Sequence, residues 1–401
     1  MYPLTQYSKS FDRIDITGQL ICYSLFRSIQ STNVCEIMKD RKLNKVDKLT
    51  ITFLVDNCIE WMTKLPPGFS HELPQHLNQP GHGIPDNDTG VPILDFDGFC
   101  CGAHGFSALI ETHVEGDEEH HLTLFDTGPD SQSLVRNIRA MQTPTERIER
   151  VITSHWHSDH TGGLLSFLEL RSKHETTIPC VVDVHPDRPL ARGIAPGPHY
   201  NKVICAIPLD PTFEEITNAG GVLEKHSGGH TVAGGSVWVS GEIPRVTEYE
   251  AGIPGGQRWV KGADDEDGKW IAEPQIMDER YAAIDVEGKG LVIFSACSHA
   301  GIVNVVKDAI DTFQRPVYMI IGGLHLAGQE FASRIPMTVE FLSNQLKPSP
   351  FYVLPMHCTG FYAKIALEKA FGDGCVPAGV GLKVEVVGNK ELEKRLFVAS
   401  Y

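Results

Sequence analysis

In Lys48 to Val55, Leu49, Ile51 and Phe53 alternate with Thr50 and Thr52, the period-two pattern of a half-buried strand. Comparable apolar β runs lie at Phe106 to Glu111, His121 to Phe125, Ile148 to Thr153 and Cys180 to Val184. Later ones are Tyr281 to Val286, Leu291 to Ser295, Pro316 to Ile321 and Phe351 to Met356. Helical patterns occupy Ser131 to Met141, Ile302 to Phe313 and Phe361 to Ala370, and another is expected to open at Thr161-Gly162-Gly163-Leu164-Leu165. Strand and helix thus alternate over most of the length, which predicts an α/β chain, with no repeat of the solenoid kind.

Three stretches break the pattern. Residues 64 to 92 are rich in Pro, Gly, His and Asn and read as a long loop bordering an active site. Residues 186 to 200 and 244 to 275 carry many Pro, Gly and Asp. The whole span of about 186 to 275 therefore reads as insertions or lids within one domain of residues 48 to 401. Residues 1 to 47 read as an N-terminal extension, an appended helix or loosely held arm, with no function legible in it.

Composition narrows the classes of function. With 401 residues and 41% hydrophobic content, the chain is long enough to bury a large core. A formal net charge of −16 argues against a nucleic-acid partner, because polyanion binding depends on Lys and Arg neutralising phosphates. Ten scattered cysteines, with Cys100-Cys101 the only adjacent pair and no Cys-x-x-Cys, suggest reduced thiols rather than a disulfide framework. Leu20 to Phe26 is too short to span a bilayer and is followed by Arg27. The expectation is a soluble, cytoplasmic protein acting on a small molecule. Oligomeric state is not legible.

Chemistry concentrates after the fourth strand signal, in Ser154-His155-Trp156-His157-Ser158-Asp159-His160-Thr161-Gly162-Gly163. Three imidazoles and a carboxylate on one strand-to-helix turn can converge on one spot. Neutral imidazole with carboxylate suits zinc, and less selectively iron or manganese. His155 and His157 can grip one ion while Asp159 and His160 reach towards a second. No Gly-x-Ser-x-Gly elbow or Walker loop competes for the chemistry.

The run Ser-His-Trp-His-Ser-Asp-His-Thr-Gly-Gly resembles the signature of the metallo-β-lactamase superfamily. Further matching runs are Val55-Asp56-Asn57, Ala103 to Ser107, Leu124 to Gly128, Ser240 to Arg245, Ala296 to Asn304, Ile321 to Leu326 and His357 to Gly360. They resemble the branch that includes dihydropterin ribofuranosyl-aminobenzene phosphate synthase, and the likeness covers about residues 48 to 388. The resemblance implies a four-layer αββα sandwich with one or two metal ions, zinc first, at one edge. It also implies that His299 completes a first metal site with His155 and His157, and that His357 completes a second with Asp159 and His160. His226 and His230 compete for the third ligand position against reading as an exposed turn.

By the same resemblance Asp126, otherwise a turn residue, orients the ligand loop. Asp159 orients and deprotonates a nucleophilic water. His325 meets substrate or developing negative charge, or is a core histidine. Asp56, Asn57, His104, Glu242 and Arg245 are candidates for the pocket wall. Arg245 is the choice for gripping an anionic substrate group, against a surface salt bridge. In one departure, Cys297 stands where many members carry a bridging aspartate, as a thiolate ligand or as a small buried hydrophobe. The implied activity is hydrolysis of an ester, lactone or phosphoester by a metal-activated water. Two alternatives remain: a pterin-pathway synthase, and a non-catalytic metal-binding or sensing protein. A redox di-iron enzyme is disfavoured by His157, where that branch has Glu.

Overall fold

The computed structural model describes residues 43–77, 85–117, 120–262 and 267–401. The expectations for residues 1 to 42, including Leu20 to Phe26, lie outside the described residues. The frame consists of β1 (Lys48–Val55), β2 (Ser107–His113), β3 (His121–Phe125), β4 (Ile148–Ile152), β5 (Val181–Val184), β6 (Ala282–Val286), β7 (Gly290–Ser295), β8 (Val317–Gly323), β9 (Tyr352–Met356) and β10 (Lys383–Val387). An eight-stranded sheet runs from Val222–Lys225 through β5, β4, β3, β2, β1 and β10 to Phe69–Ser70. A seven-stranded sheet runs from His230–Val232 through Val237–Val239, β6, β7 and β8 to β9, and Lys45–Val46 pairs with β6.

Side-chain alternation decides how these sheets stack. In β7, Val292 and Phe294 enter a core shared with Leu49, Ile51 and Phe53 of β1, while Leu291 and Ile293 enter a separate cluster on the other face. Because strand side chains alternate with period two, a fully apolar strand must be covered on both faces. The first cluster fills the space between the sheets. The second seats α3 (Ile302–Phe313) and α4 (Phe361–Phe371) on the outer face of the seven-stranded sheet. A third cluster seats α1 (Ser133–Ala140) and α2 (Leu164–Ser172) on the eight-stranded sheet. The result is the expected αββα order of four layers.

Two readings need correction. Residues 64 to 92 are not simply a loop, since Phe69–Ser70 joins a sheet edge and Glu72–Leu77 is helical. Nor is 186 to 275 one insertion: Val222–Lys225 and the hairpin His230–Val239 belong to the two main sheets. Ala191–Ile194, Cys205–Ala206, Gly256–Val260 and Lys269–Ala272 form a small sheet of their own. The compositional signal of Pro and Gly marked turns between these strands and hid the strands themselves. Among the described residues no helix is long and apolar enough to cross a membrane.

The two sheets are stapled at one end by Arg280, just before β6. Its Nη1 donates to Asp183 Oδ1 of β5 at 2.8 Å, and its Nη2 donates to Thr153 O at 2.6 Å. Both side chains are fully buried. Losing one partner of such a pair strands the other charge, so Arg280→Ala should cost about 3–5 kcal/mol. Urea denaturation at neutral pH would measure it, and a loss within 1 kcal/mol, on the order of an exposed ion pair, would show that the staple is not structural.

Candidate metal centre

β1, β3, β4, β7, β8 and β9 all end on the same edge of the sandwich, and the residues that follow them carry the chemistry. Four of these residues, Asp126, Ser298, His325 and His357, hold positive φ between 43° and 59°. Such backbone is sparsely populated by non-glycine residues and turns each chain sharply at its strand end. At the ligand loop, Gly162 and Gly163 lie against the carbonyls of Pro129 and Thr127, where a Cβ on either would collide. The Gly-Gly pair is thus required by close approach of two backbones.

The donors fall into two adjoining sets. His155 Nε2 and His299 Nε2 lie 2.9 and 3.2 Å from His157 Nδ1. Beside them, Asp159 Oδ2 lies 3.3 Å from His357 Nε2 and 3.6 Å from His160 Nε2. Cys297 Sγ completes this second set, 3.1 Å from His160 Nε2, so the thiol sits among the donors. Cys297 also belongs to a third group with His325 and Cys358, whose ligand atoms all lie within 4.8 Å of one another.

Several of these rings are held from behind. His160 Nδ1 is 2.8 Å from Asp126 Oδ2, His155 Nδ1 is 2.9 Å from Ser154 Oγ, and His357 Nδ1 is 3.0 Å from Asn57 Oδ1. In each, the other nitrogen faces the cluster. Fixing the tautomer through the far nitrogen is what metal-ligating imidazoles require. The donor set fits a divalent ion, with nitrogen and oxygen suiting zinc, iron or manganese and the thiol favouring zinc.

Electrostatics agree with that use for the first donor set, whereas in the second the imidazole and carboxylate are paired with each other. Burial, and then Arg192, lowers His157 to about 3, and burial with His160 and His157 holds His155 well below its usual value. Both are therefore neutral, the ligating form, at neutral pH. Burial opposes charge on His160 as well, but Asp159 and Asp126 outweigh it and raise the ring to about 9. Burial likewise opposes charge on Asp159, and His160, His357 and His157 hold it well below the usual carboxylate range. Burial pushes the Cys297 thiol up.

The pocket-wall candidates divide. His104 lines the cleft, with Nε2 3.7 Å from Asp159 Oδ2, and Asn57 bridges it to His357. His325 lines it too, its ring 4.5 Å from that of His299. Asp56 is fully buried behind the site, where it accepts from His357 N at 2.7 Å, so it anchors a ligand loop and is not wall. Glu242 is exposed and does not line the cleft. Arg245 does not line it either and donates to the carbonyls of Ile243 and Ile276. The cause is Ile243, which packs into the outer core under α3 and draws its neighbours with it. His226 and His230 stack at 3.9 Å, and His230 Nε2 lies 2.7 Å from buried Asp183. They form a separate cluster rather than an exposed turn or the third ligand.

Other site residues went unseen in the sequence. Asp278 accepts from Trp156 N at 2.7 Å, and Glu279 accepts from His299 N and Ala300 N at 2.7 and 2.6 Å. Cys358 and Arg192 line the cleft. The one available signal was the charged run Asp278-Glu279-Arg280 set directly against a mostly apolar strand.

Comparison with known proteins agrees with the fold. Residues 105–247 match the family model of the metallo-β-lactamase superfamily. The chain is 31% identical to 7,8-dihydropterin-6-methyl-4-(β-D-ribofuranosyl)-aminobenzene-5'-phosphate synthase of Methanocaldococcus jannaschii, over 67% of this chain and 85% of that one. It is 30% identical to an uncharacterized protein of the same organism, over 66% of this chain and 88% of the relative. Among solved structures, Tm1679, described as a metal-dependent hydrolase of the β-lactamase superfamily, superposes with a TM-score of 0.57 at 19% identity, over 84% of this chain and 99% of that one. That likeness concerns the fold. Donor geometry, layer order and the relatives together show that this chain is a member of the metallo-β-lactamase superfamily.

Proposed function

We propose that the protein is a hydrolase that uses one or two divalent ions, zinc by its donors, to cleave an ester, lactone or phosphoester of a small molecule. The observation that carries this reading is the pair of adjoining donor sets opening into a cleft of about 630 Å³. His155, His157 and His299 would hold one ion, and Asp159, His160, His357 and Cys297 the other. Bound there, the ions would supply Lewis acidity and bring the pKa of a water towards neutrality.

The chain's own groups would do the rest. Asp159 faces the cleft with its side chain 25% exposed, placed to orient a water and accept its proton at Oδ2. His104 Nε2, 3.7 Å away on a ring 69% exposed, offers that proton a route to solvent. His325, half-buried with its Nδ1 covered and unpartnered, is placed to meet negative charge developing on the substrate. Burial opposes its charge, but Cys358, Glu279 and Asp159 raise it above the usual value. The eight cysteines among the described residues are all free, which accords with a reducing, cytoplasmic setting. A second reading, a pterin-pathway synthase, is supported by the name of the relative at 31% identity.

Asp126→Ala should lower metal affinity by about 10–100-fold while the fold persists, since it removes the group orienting His160 and Ser154. A chelator competition assay beside circular dichroism would measure this. Cys297→Ala should leave the first ion in place and reduce occupancy of the second by elemental analysis, and Cys297→Asp should restore it. Retention of two ions in the alanine variant would remove the thiol from the donor set. On a generic ester panel, Asp159→Ala should cut turnover by about 10²–10⁴-fold, as should chelation of the wild type. Unchanged hydrolysis in metal-checked Asp159→Ala and His155→Ala samples would sink the hydrolase reading.

A further inference from the structure

We infer that the substrate of this cleft is an ester or lactone with an apolar, uncharged body, rather than one that carries a phosphate or other anion away from its reacting bond. This deepens the hydrolase reading and rests on it for the identity of the reacting bond. The cleft has two unlike sides. One is the donor edge of the sandwich. The rest of the lining is largely apolar and includes Ile194 of the small sheet, Ile207, Pro208, Ile253, Ile276 and Phe331.

A substrate bearing phosphate away from its reacting bond needs a cation to receive that group, since a buried, unpaired anion is costly. Histidines aside, Arg192 is the one cation among the described residues that line the cleft. It is already fully engaged. Its Nη2 lies 2.5 Å from Asp278 Oδ1, its Nε lies 2.8 Å from Glu273 Oε2, and its Nη1 donates to Trp156 O at 2.7 Å. Glu273 is shared with Arg258, which also pairs with Asp187, so three carboxylates face two guanidinia and the local balance is negative before any ligand enters, and Glu330 adds another acid to the lining. Arg245, the guanidinium expected to grip an anion, is not in the lining and donates to the carbonyls of Ile243 and Ile276. The relative's printed name carries a 5'-phosphate, so this cleft would discriminate against that class of compound.

The test compares matched pairs on the full-length, zinc-loaded protein. p-Nitrophenyl hexanoate and the p-nitrophenyl monoester of adipate differ by a terminal carboxylate. The hexanoate should have the higher kcat/KM by about tenfold or more, the equivalent of leaving one partly solvated anion unpaired. Ile194→Arg, which places a free cation at the cleft away from the donors, should narrow or reverse the ratio. Binding separates this proposal from the hydrolase reading. Hexananilide and adipic acid monoanilide are titrated by calorimetry, on loaded protein and on metal-free protein, where no ion can capture the carboxylate. Tighter binding of hexananilide supports the apolar site, even if neither ester is cleaved and the hydrolase reading falls. Equal or better binding and turnover of the charged partners, or no binding of hexananilide, would overturn it.

Discussion

Buried carboxylates gripping backbone N–H groups are the interaction on which this site depends. Asp126 accepts from Ser154 N, Asp278 from Trp156 N, Glu279 from His299 N and Ala300 N, and Asp56 from His357 N. Each holds a loop that carries a donor imidazole, and each is almost wholly buried. A buried carboxylate is costly unless its lone pairs are satisfied, so these acids and the loops they hold stabilise one another as a unit. Rigid loops of this kind keep soft, flexible strand ends within the tolerance a metal site demands. The left-handed residues Asp126 and His357 persist because this network over-determines them.

The cleft is built by two different parts of the chain. Strand ends of the sandwich supply the donors, in positions that the sheet order makes adjacent although they lie far apart in sequence. Segments between β5 and β6, together with the turn at Phe331, supply the apolar face. Arg192 links the two, bonding to the ligand loop through Trp156 O and to Asp278 and Glu273 on its other sides. This arrangement separates chemistry from specificity, so the wall can vary without moving the donors.

Cys297 gives this centre its own character. A thiol stands within the second donor set, and Cys358 lies close by. Sulfur is a softer donor than a carboxylate oxygen, which shifts metal preference towards zinc.

By itself the sequence determined the strands, through period-two alternation, and the ligand loop, because four of its residues act within one turn. The family resemblance pointed to His299 and His357, and of the two only His357 directly follows its strand. The structure alone decided which strand ends meet. Asp278 reaches Trp156 across 122 residues and Asp56 reaches His357 across 301, separations at which no periodicity carries information. Arg245 and Glu242 show the converse error, where nearness to a matching motif was mistaken for nearness in space. Burial of Ile243 in the outer core took them away from the cleft. Local pattern follows from the geometry of a single element, whereas the partners of a buried charge are set by how the layers pack.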